Sequence, residues 1–135
     1  LSLSDAELRD CYFSRQKTIY VRSLASKITD GTLCLEKLDE LTDAEVKDAL
    51  IEVKGIGHWT ADIYLLMALR RADVMPRGDI ALHAAWRDVA GLSVRPSADE
   101  FLLAAERWSP FRAVAARLLW HYYLSEKKRP GLPKK

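Results

Sequence analysis

The sequence is poor in the residues that metal clusters and secreted scaffolds require. Its 135 residues include two cysteines, Cys11 and Cys34, too few for a four-thiolate iron–sulfur cluster or zinc site. The two thiols can form one disulfide at most. Nothing in the sequence resembles a signal peptide, so we expect reduced thiols in a cytoplasmic protein. No apolar run is long enough to cross a bilayer, and no membrane partner is expected.

A large excess of charge of one sign is also lacking. There are 21 basic and 19 acidic side chains, which gives a net charge of +2. This balance argues against a protein that binds its partner through a polybasic segment, and against an acidic tail. The hydrophobic share of 49% excludes disorder. Residues 1–51 hold 7 basic and 10 acidic side chains, whereas residues 52–135 hold 14 and 9. If the protein binds a polyanion, the second half of the chain is therefore expected to bind it.

Alternation with a period of two is absent, and apolar residues instead recur every three or four positions. This pattern predicts an all-α fold, a bundle of about seven helices. We predict one domain over residues 1–126 and a basic tail over residues 127–135. The predicted helices span approximately residues 14–30, 35–40, 42–53, 58–71, 79–90, 97–107 and 110–124.

Helix start signals set most of these boundaries. Ser14 is a predicted N-cap, and Thr42 and Ser97 each precede a glutamate by three residues, which is the capping-box spacing. Asp79 follows a Pro-Arg-Gly turn and stands where an N-cap belongs. Pro110 is expected at the first position of the last helix, where its missing N–H is tolerated.

Two glycines alternate in Lys54-Gly55-Ile56-Gly57, within a predicted helical hairpin over residues 42–71. Both can adopt positive φ and allow a phosphate to approach the backbone. The amides from Gly57 onward begin a helix, whose N–H groups and dipole favour an anion. A tight corner between helices also explains the glycines. No strand precedes them and no Gly-Lys-Ser/Thr follows, which excludes the dinucleotide fingerprint and the P-loop.

Three ordered motifs resemble the helix–hairpin–helix (HhH-GPD) superfamily of base-excision DNA glycosylases, especially the DNA-3-methyladenine glycosylase II (AlkA) type. They are Val-Lys-Gly-Ile-Gly-His-Trp-Thr-Ala at 53–61, Pro-Arg-Gly-Asp at 76–79, and Trp-Ser-Pro-Phe-Arg at 108–112 followed by Leu-Trp at 119–120. The resemblance covers residues 5–124. It implies duplex DNA as the partner and alkylated purines as the excised bases. Family members carry further helices before this region, so we expect the C-terminal portion of a longer protein.

The resemblance assigns roles to several side chains. Asp79 matches the catalytic carboxyl group, which stabilises an oxocarbenium ion or activates water, although an acid at a helix start is more commonly only an N-cap. Trp59 replaces the Schiff-base lysine of bifunctional relatives, which implies no strand cleavage. Trp59 and Trp120 match the walls of the base pocket, where indoles attract a cationic purine. Core packing is the alternative for both, and is what we expect for Trp86 and Trp108.

The resemblance also implies contacts made by the backbone of the hairpin. The amides that match the family's phosphate donors are those of Gly55, Gly57 and Thr60. The carbonyls that match its Na⁺ or K⁺ ligands are those of Ile51, Val53 and Ile56. No cofactor is expected to be required, and no iron–sulfur cluster. We expect a monomer, associated with the nucleoid in a bacterium.

Two polar side chains near the motifs allow more than one interpretation. His83, one turn after Asp79, can contact DNA or Asp79, but we expect it at the surface. Arg112 can contact a phosphate or brace the last helix, and we expect bracing. Two alternative functions also remain: a non-catalytic helix–hairpin–helix module that holds duplex DNA, and a glycosylase of the same superfamily with a different lesion preference.

Overall fold

A computed structural model describes residues 2–127, and all regular structure within them is helical, as predicted. The seven α-helices are α1 Asp5–Asp10, α2 Arg15–Thr29, α3 Asp43–Ile51, α4 His58–Met67, α5 Ile80–Val89, α6 Ala98–Ala105 and α7 Arg112–Lys127. Two 3₁₀-helices lie at Leu35–Glu40 and Glu106–Trp108. Lys127, the first residue of the predicted basic tail, ends α7, and residues 128–135 lie outside the described residues.

Capping side chains begin the helices at the predicted places. The Ser14 hydroxyl accepts the N–H of Lys17 at the start of α2, and Thr42 and Ser97 form the capping boxes of α3 and α6. Ser4 forms a further capping box at the start of α1, a helix that the sequence analysis missed. Because a capping box involves residues only three positions apart, it is legible in the sequence alone.

The largest differences between predicted and observed helix boundaries lie in two helices. The helix predicted over residues 58–71 ends at Met67, because Arg70 adopts a φ of 55° and the Arg71 N–H donates to the Leu65 carbonyl at 2.9 Å. The last helix begins at Arg112 instead of Pro110 and runs to Lys127, three residues past the predicted end. The carboxyl group of Asp73, distant in the sequence, sets the start of this helix.

The helices divide into two compact units, Leu1–Ala61 and Asp62–Lys135, with the boundary inside α4. The predicted single domain over residues 1–126 stays a prediction. The apolar core of the first unit consists of Leu8, Leu33, Leu38, Val46, Leu50, Val53 and Ala61. The core of the second comprises Leu66, Met75, Leu82, Ala85, Phe101, Ala105, Ala113, Ala116 and Leu119. Within residues 2–127, no helix is both long and apolar enough to cross a membrane.

Candidate functional site

The two glycines of the hairpin between α3 and α4 adopt different conformations. Gly55 has a φ of +99°, and a β-carbon added there would overlap the ring of Tyr20 on α2. Gly57 does not adopt positive φ, and nothing lies within 4 Å of the position of an added β-carbon. Gly55 is therefore required by its backbone conformation and by the close approach of Tyr20. Gly57 instead leaves open space beside the backbone.

The backbone amides at the start of α4 are available to a ligand. The Gly57 carbonyl accepts the Ala61 N–H at 3.0 Å, which makes Gly57 an N-cap without a side chain. In the part of the chain that the structure describes, the N–H groups of Gly55, Gly57 and Thr60 donate to no protein acceptor. All three residues are exposed. A helix N-terminus with such donors and no capping side chain favours an anion.

The hairpin also presents carbonyl oxygens. The Val53 carbonyl accepts the Ile56 N–H at 3.0 Å. Among the backbone hydrogen bonds of the described residues outside the helices, none goes to the carbonyl of Ile51 or of Ile56. Carbonyl oxygens of this kind can replace the hydration shell of a monovalent cation. Side chains offer no comparable site among residues 2–127, where no group of three His, Cys, Asp or Glu could hold a metal ion.

Asp79 begins α5 as its N-cap, as predicted. Its Oδ1 accepts the N–H groups of Ala81 at 2.9 Å and Leu82 at 3.0 Å. Because one oxygen accepts both bonds, they hold the carboxyl group in one orientation. Asp79 is only 7% exposed. The capping role is confirmed, and the catalytic role stays a prediction.

A second buried acid, to which the sequence assigned no functional role, contacts the loop before Asp79. Asp62 on α4 is 3% exposed, and its Oδ2 accepts the Arg77 N–H at 3.2 Å. The Arg77 guanidinium donates to Asp99 on α6 at 2.7 Å, at the surface. The only sequence signal for Asp62 was an acid within an otherwise apolar helix. Such a residue suggests a polar partner, but the sequence does not say which one.

His83 is buried, so the prediction of a surface histidine was wrong. It is 6% exposed, and its ring centroid lies 4.7 Å from that of Phe101. Burial lowers the pKa of His83, partly offset by a hydrogen bond with the backbone of Pro96 and by the charge of Asp79. Its Nε2 is buried without a hydrogen-bond partner among the described residues. His83 is therefore part of the packing around Phe101, with the two rings tilted by 42°.

The four tryptophans differ in their surroundings. Trp86 and Trp108 pack against the core of the second unit as predicted, in a T-shaped pair with ring centroids 5.0 Å apart. Trp120 is half-buried against the same core, and Trp59 is 48% exposed. The exposure of Trp59 leaves part of its indole accessible to a ligand. The pocket roles of Trp59 and Trp120 stay predictions.

Arg112 braces α7, as predicted, through Asp73. The guanidinium donates to Asp73 through Nε at 2.6 Å and Nη2 at 2.8 Å, and the Arg112 N–H also donates to this carboxyl group. The Ser109 hydroxyl adds a bond of 2.9 Å. The Arg112 side chain holds the pKa of Asp73 at about 2, against an ordinary 3.8. Asp73 therefore acts as a remote N-cap and explains why α7 begins at Arg112.

Comparisons with known proteins support the resemblance seen in the sequence. The chain is 33% identical over 130 residues to DNA-3-methyladenine glycosylase 1 of Schizosaccharomyces pombe, covering 95% of this chain and 57% of that protein. It is also 33% identical over 114 residues to YfjP of Bacillus subtilis, covering 84% of this chain and 40% of YfjP. The chain thus spans about half the length of these relatives. No protein-family model matches it.

Solved structures share the fold. The Schizosaccharomyces pombe 3-methyladenine DNA glycosylase in complex with abasic DNA superposes with a TM-score of 0.82 at 29% identity, covering 97% of this chain and 63% of that one. A DNA-3-methyladenine glycosidase from Bacillus halodurans gives a TM-score of 0.80 at 28% identity, covering 93% and 59%. In sequence and in fold the chain is therefore similar to the helix–hairpin–helix superfamily of DNA glycosylases. Within that superfamily, its relatives include enzymes of the DNA-3-methyladenine glycosylase type.

Proposed function

We propose that this chain provides the DNA clamp and the catalytic carboxyl group of a monofunctional DNA glycosylase that excises alkylated purines from duplex DNA. The observation that carries the proposal is Asp79, a buried carboxyl group held in one orientation at the start of α5. The relatives named for this activity support the same substrate class. Because its substrate is duplex DNA, the protein acts where the cell keeps its DNA. In a bacterium this is the nucleoid, in the cytoplasm.

The clamp needs few basic side chains. The amides of Gly55, Gly57 and Thr60 bind one DNA phosphate, and the carbonyls of Ile51, Val53 and Ile56 hold a Na⁺ or K⁺ that shares it. The bound cation supplies positive charge against the phosphate. Support comes from the three amides, which donate to no acceptor among the described residues, and from the available carbonyls of Ile51 and Ile56. A net charge of +2 is therefore compatible with a polyanionic substrate.

The excised base is extruded from the duplex and contacts an indole; Trp59 of the first unit and Trp120 of the second are each a candidate for this contact. An alkylated purine carries positive charge, so the electron-rich indole faces attract it and it is a good leaving group. As the glycosidic bond breaks, positive charge develops on the sugar. The Asp79 carboxylate stabilises that charge or orients the attacking water. Trp59 cannot form a Schiff base, so the product is an intact strand with an abasic site.

Base release from methylated duplex DNA tests the catalytic assignment. In a single-turnover assay, we expect Asp79→Asn to slow release by at least about 100-fold, because the carboxylate charge is lost. Asparagine caps a helix about as well as aspartate, so the midpoint of thermal unfolding should change little. Strand breaks should appear only after alkali treatment. Equal release by Asp79→Asn and the wild type would contradict the assignment and favour a DNA-binding module without catalysis.

Replacement of the cation tests the clamp. At constant ionic strength, duplex affinity should be higher in K⁺ or Na⁺ than in tetramethylammonium, which is too large to bind between the carbonyls. The unfolding midpoint measured in the same buffers controls for effects on stability. Equal affinities in all three salts would contradict a cation held by the hairpin.

A further inference from the structure

The loop that leads to Asp79 is anchored by a buried side chain to which the function proposed above gives no role. Asp62 lies on α4, and its Oδ2 accepts the N–H of Arg77, two residues before Asp79. We infer that Asp62 is a positioning residue, which sets the place of the Asp79 carboxyl group for the reaction. This inference rests on the proposed function.

The burial of Asp62 indicates that its carboxyl group has a specific polar task. Its neighbours Ala61, Leu65 and Leu66 are fully buried and apolar, and Asp62 itself is 3% exposed. Burying a carboxyl group is unfavourable unless hydrogen bonds compensate, so packing alone does not explain an acid at this position. Pro76 has no N–H, so Arg77 is the first residue of the Pro-Arg-Gly turn that can donate a backbone hydrogen bond to Asp62.

The position of Asp79 is constrained on both sides of the residue. Before it, Asp62 holds the Arg77 amide, and Gly78 turns the chain with a φ of +75°. After it, the amides of Ala81 and Leu82 hold Oδ1. Without the Asp62 acceptor, the segment before Asp79 loses its anchor. A displacement of about 1 Å at a reacting group can cost on the order of 100-fold in rate.

The chain offers a matched control at the same loop. The Arg77 side chain pairs with Asp99 at 2.7 Å, but both side chains are mostly exposed, at 60% and 81%. An exposed ion pair contributes little to stability. Asp99→Asn therefore removes an acid that contacts Arg77 without removing the anchor of its backbone.

The experiment measures single-turnover base release and duplex affinity for the wild type, Asp62→Ala, Asp62→Asn and Asp99→Asn. We expect Asp62→Ala to slow release roughly 10- to 100-fold with affinity within about two-fold of the wild type. Asp62→Asn should restore most of the rate, because its amide oxygen can accept the same bond. Asp99→Asn should match the wild type. Amide exchange at Arg77 should be faster only in Asp62→Ala, and if that variant does not fold, Asp62→Val replaces it.

The possible failures are distinguishable. A wild-type rate in Asp62→Ala, or in Asp62→Val, overturns the inference and leaves the proposed function standing. A slow rate accompanied by an equal loss of duplex affinity also overturns it, since that pattern reflects general damage. An Asp62→Asn variant as slow as Asp62→Ala overturns the assigned hydrogen bond. If the wild-type chain releases no base, the proposed function fails and this inference fails with it.

Discussion

Replacing Gly55 by alanine should destabilise the hairpin in two separable ways. An L-residue at a positive φ costs about 1–2 kcal/mol, and Gly55 has a φ of +99°. The added methyl group would also overlap the Tyr20 ring, and overpacking of this kind costs about 1–3 kcal/mol. Together we expect a loss of about 2–5 kcal/mol in the free energy of unfolding.

A double-mutant cycle separates the two contributions. With Tyr20→Ala as the background, the overlap disappears, so Gly55→Ala should cost only about 1–2 kcal/mol. Urea unfolding followed by circular dichroism measures all four proteins. Gly57→Ala is the matched control, because no atom lies within 4 Å of its added β-carbon and its φ is not positive. That variant should lose at most about 1 kcal/mol.

The same variants test the phosphate clamp. Gly57→Ala places a methyl group where the phosphate should approach, so duplex affinity should fall while the protein stays folded. A Gly55→Ala protein as stable as the wild type would refute the steric argument. An equal cost of Gly55→Ala with and without Tyr20 would refute the assigned contact. Unchanged affinity in Gly57→Ala would refute the approach of the phosphate at that position.

Three further predictions concern single side chains. The pKa of Asp73 is lowered to about 2 in the fold, so its stabilising contribution is present above pH 4 and is lost as the pH falls toward 2. In urea unfolding over this pH range, the free energy of unfolding of Asp73→Asn should therefore fall by about 1 kcal/mol less than that of the wild type. Burial lowers the pKa of His83, so stability should decline as the pH falls below 6.5, and a His83→Gln variant with the same decline would contradict this. Trp59→Ala should slow release of cationic 3-methyladenine roughly 2- to 30-fold, with a smaller effect on neutral hypoxanthine in the same assay.

The parts of the fold that could be predicted are those encoded by neighbouring residues. The caps at Ser14, Thr42 and Ser97 depend on a side chain and an amide three positions apart, so spacing alone reveals them. Ser4 precedes Glu7 by the same spacing, so the sequence also encodes the cap of α1.

The interactions that escaped prediction join residues distant in the chain. Asp73 and Arg112 are 39 residues apart, and the contact between them places the start of α7 at Arg112. This is two residues after Pro110, where the sequence predicted it. His83 was predicted at the surface because buried positions were inferred from the spacing of apolar residues, and histidine is polar. Its burial depends on Phe101, 18 residues away on another helix. Tertiary packing decided each case, and no local pattern reports it.

Asp79 differs from the other capping residues in a way that supports its proposed catalytic role. Ser4, Ser14, Thr42 and Ser97 are exposed residues that cap their helices with hydroxyl groups, whereas Asp79 caps α5 with a carboxyl group and is only 7% exposed as a residue. A hydroxyl oxygen accepts an N-terminal amide as well as a carboxylate does, without the cost of burying a charge. Capping alone therefore does not explain an acid at this position. A carboxyl group that meets developing positive charge on a bound sugar does explain it, and the two cap bonds then serve to orient it.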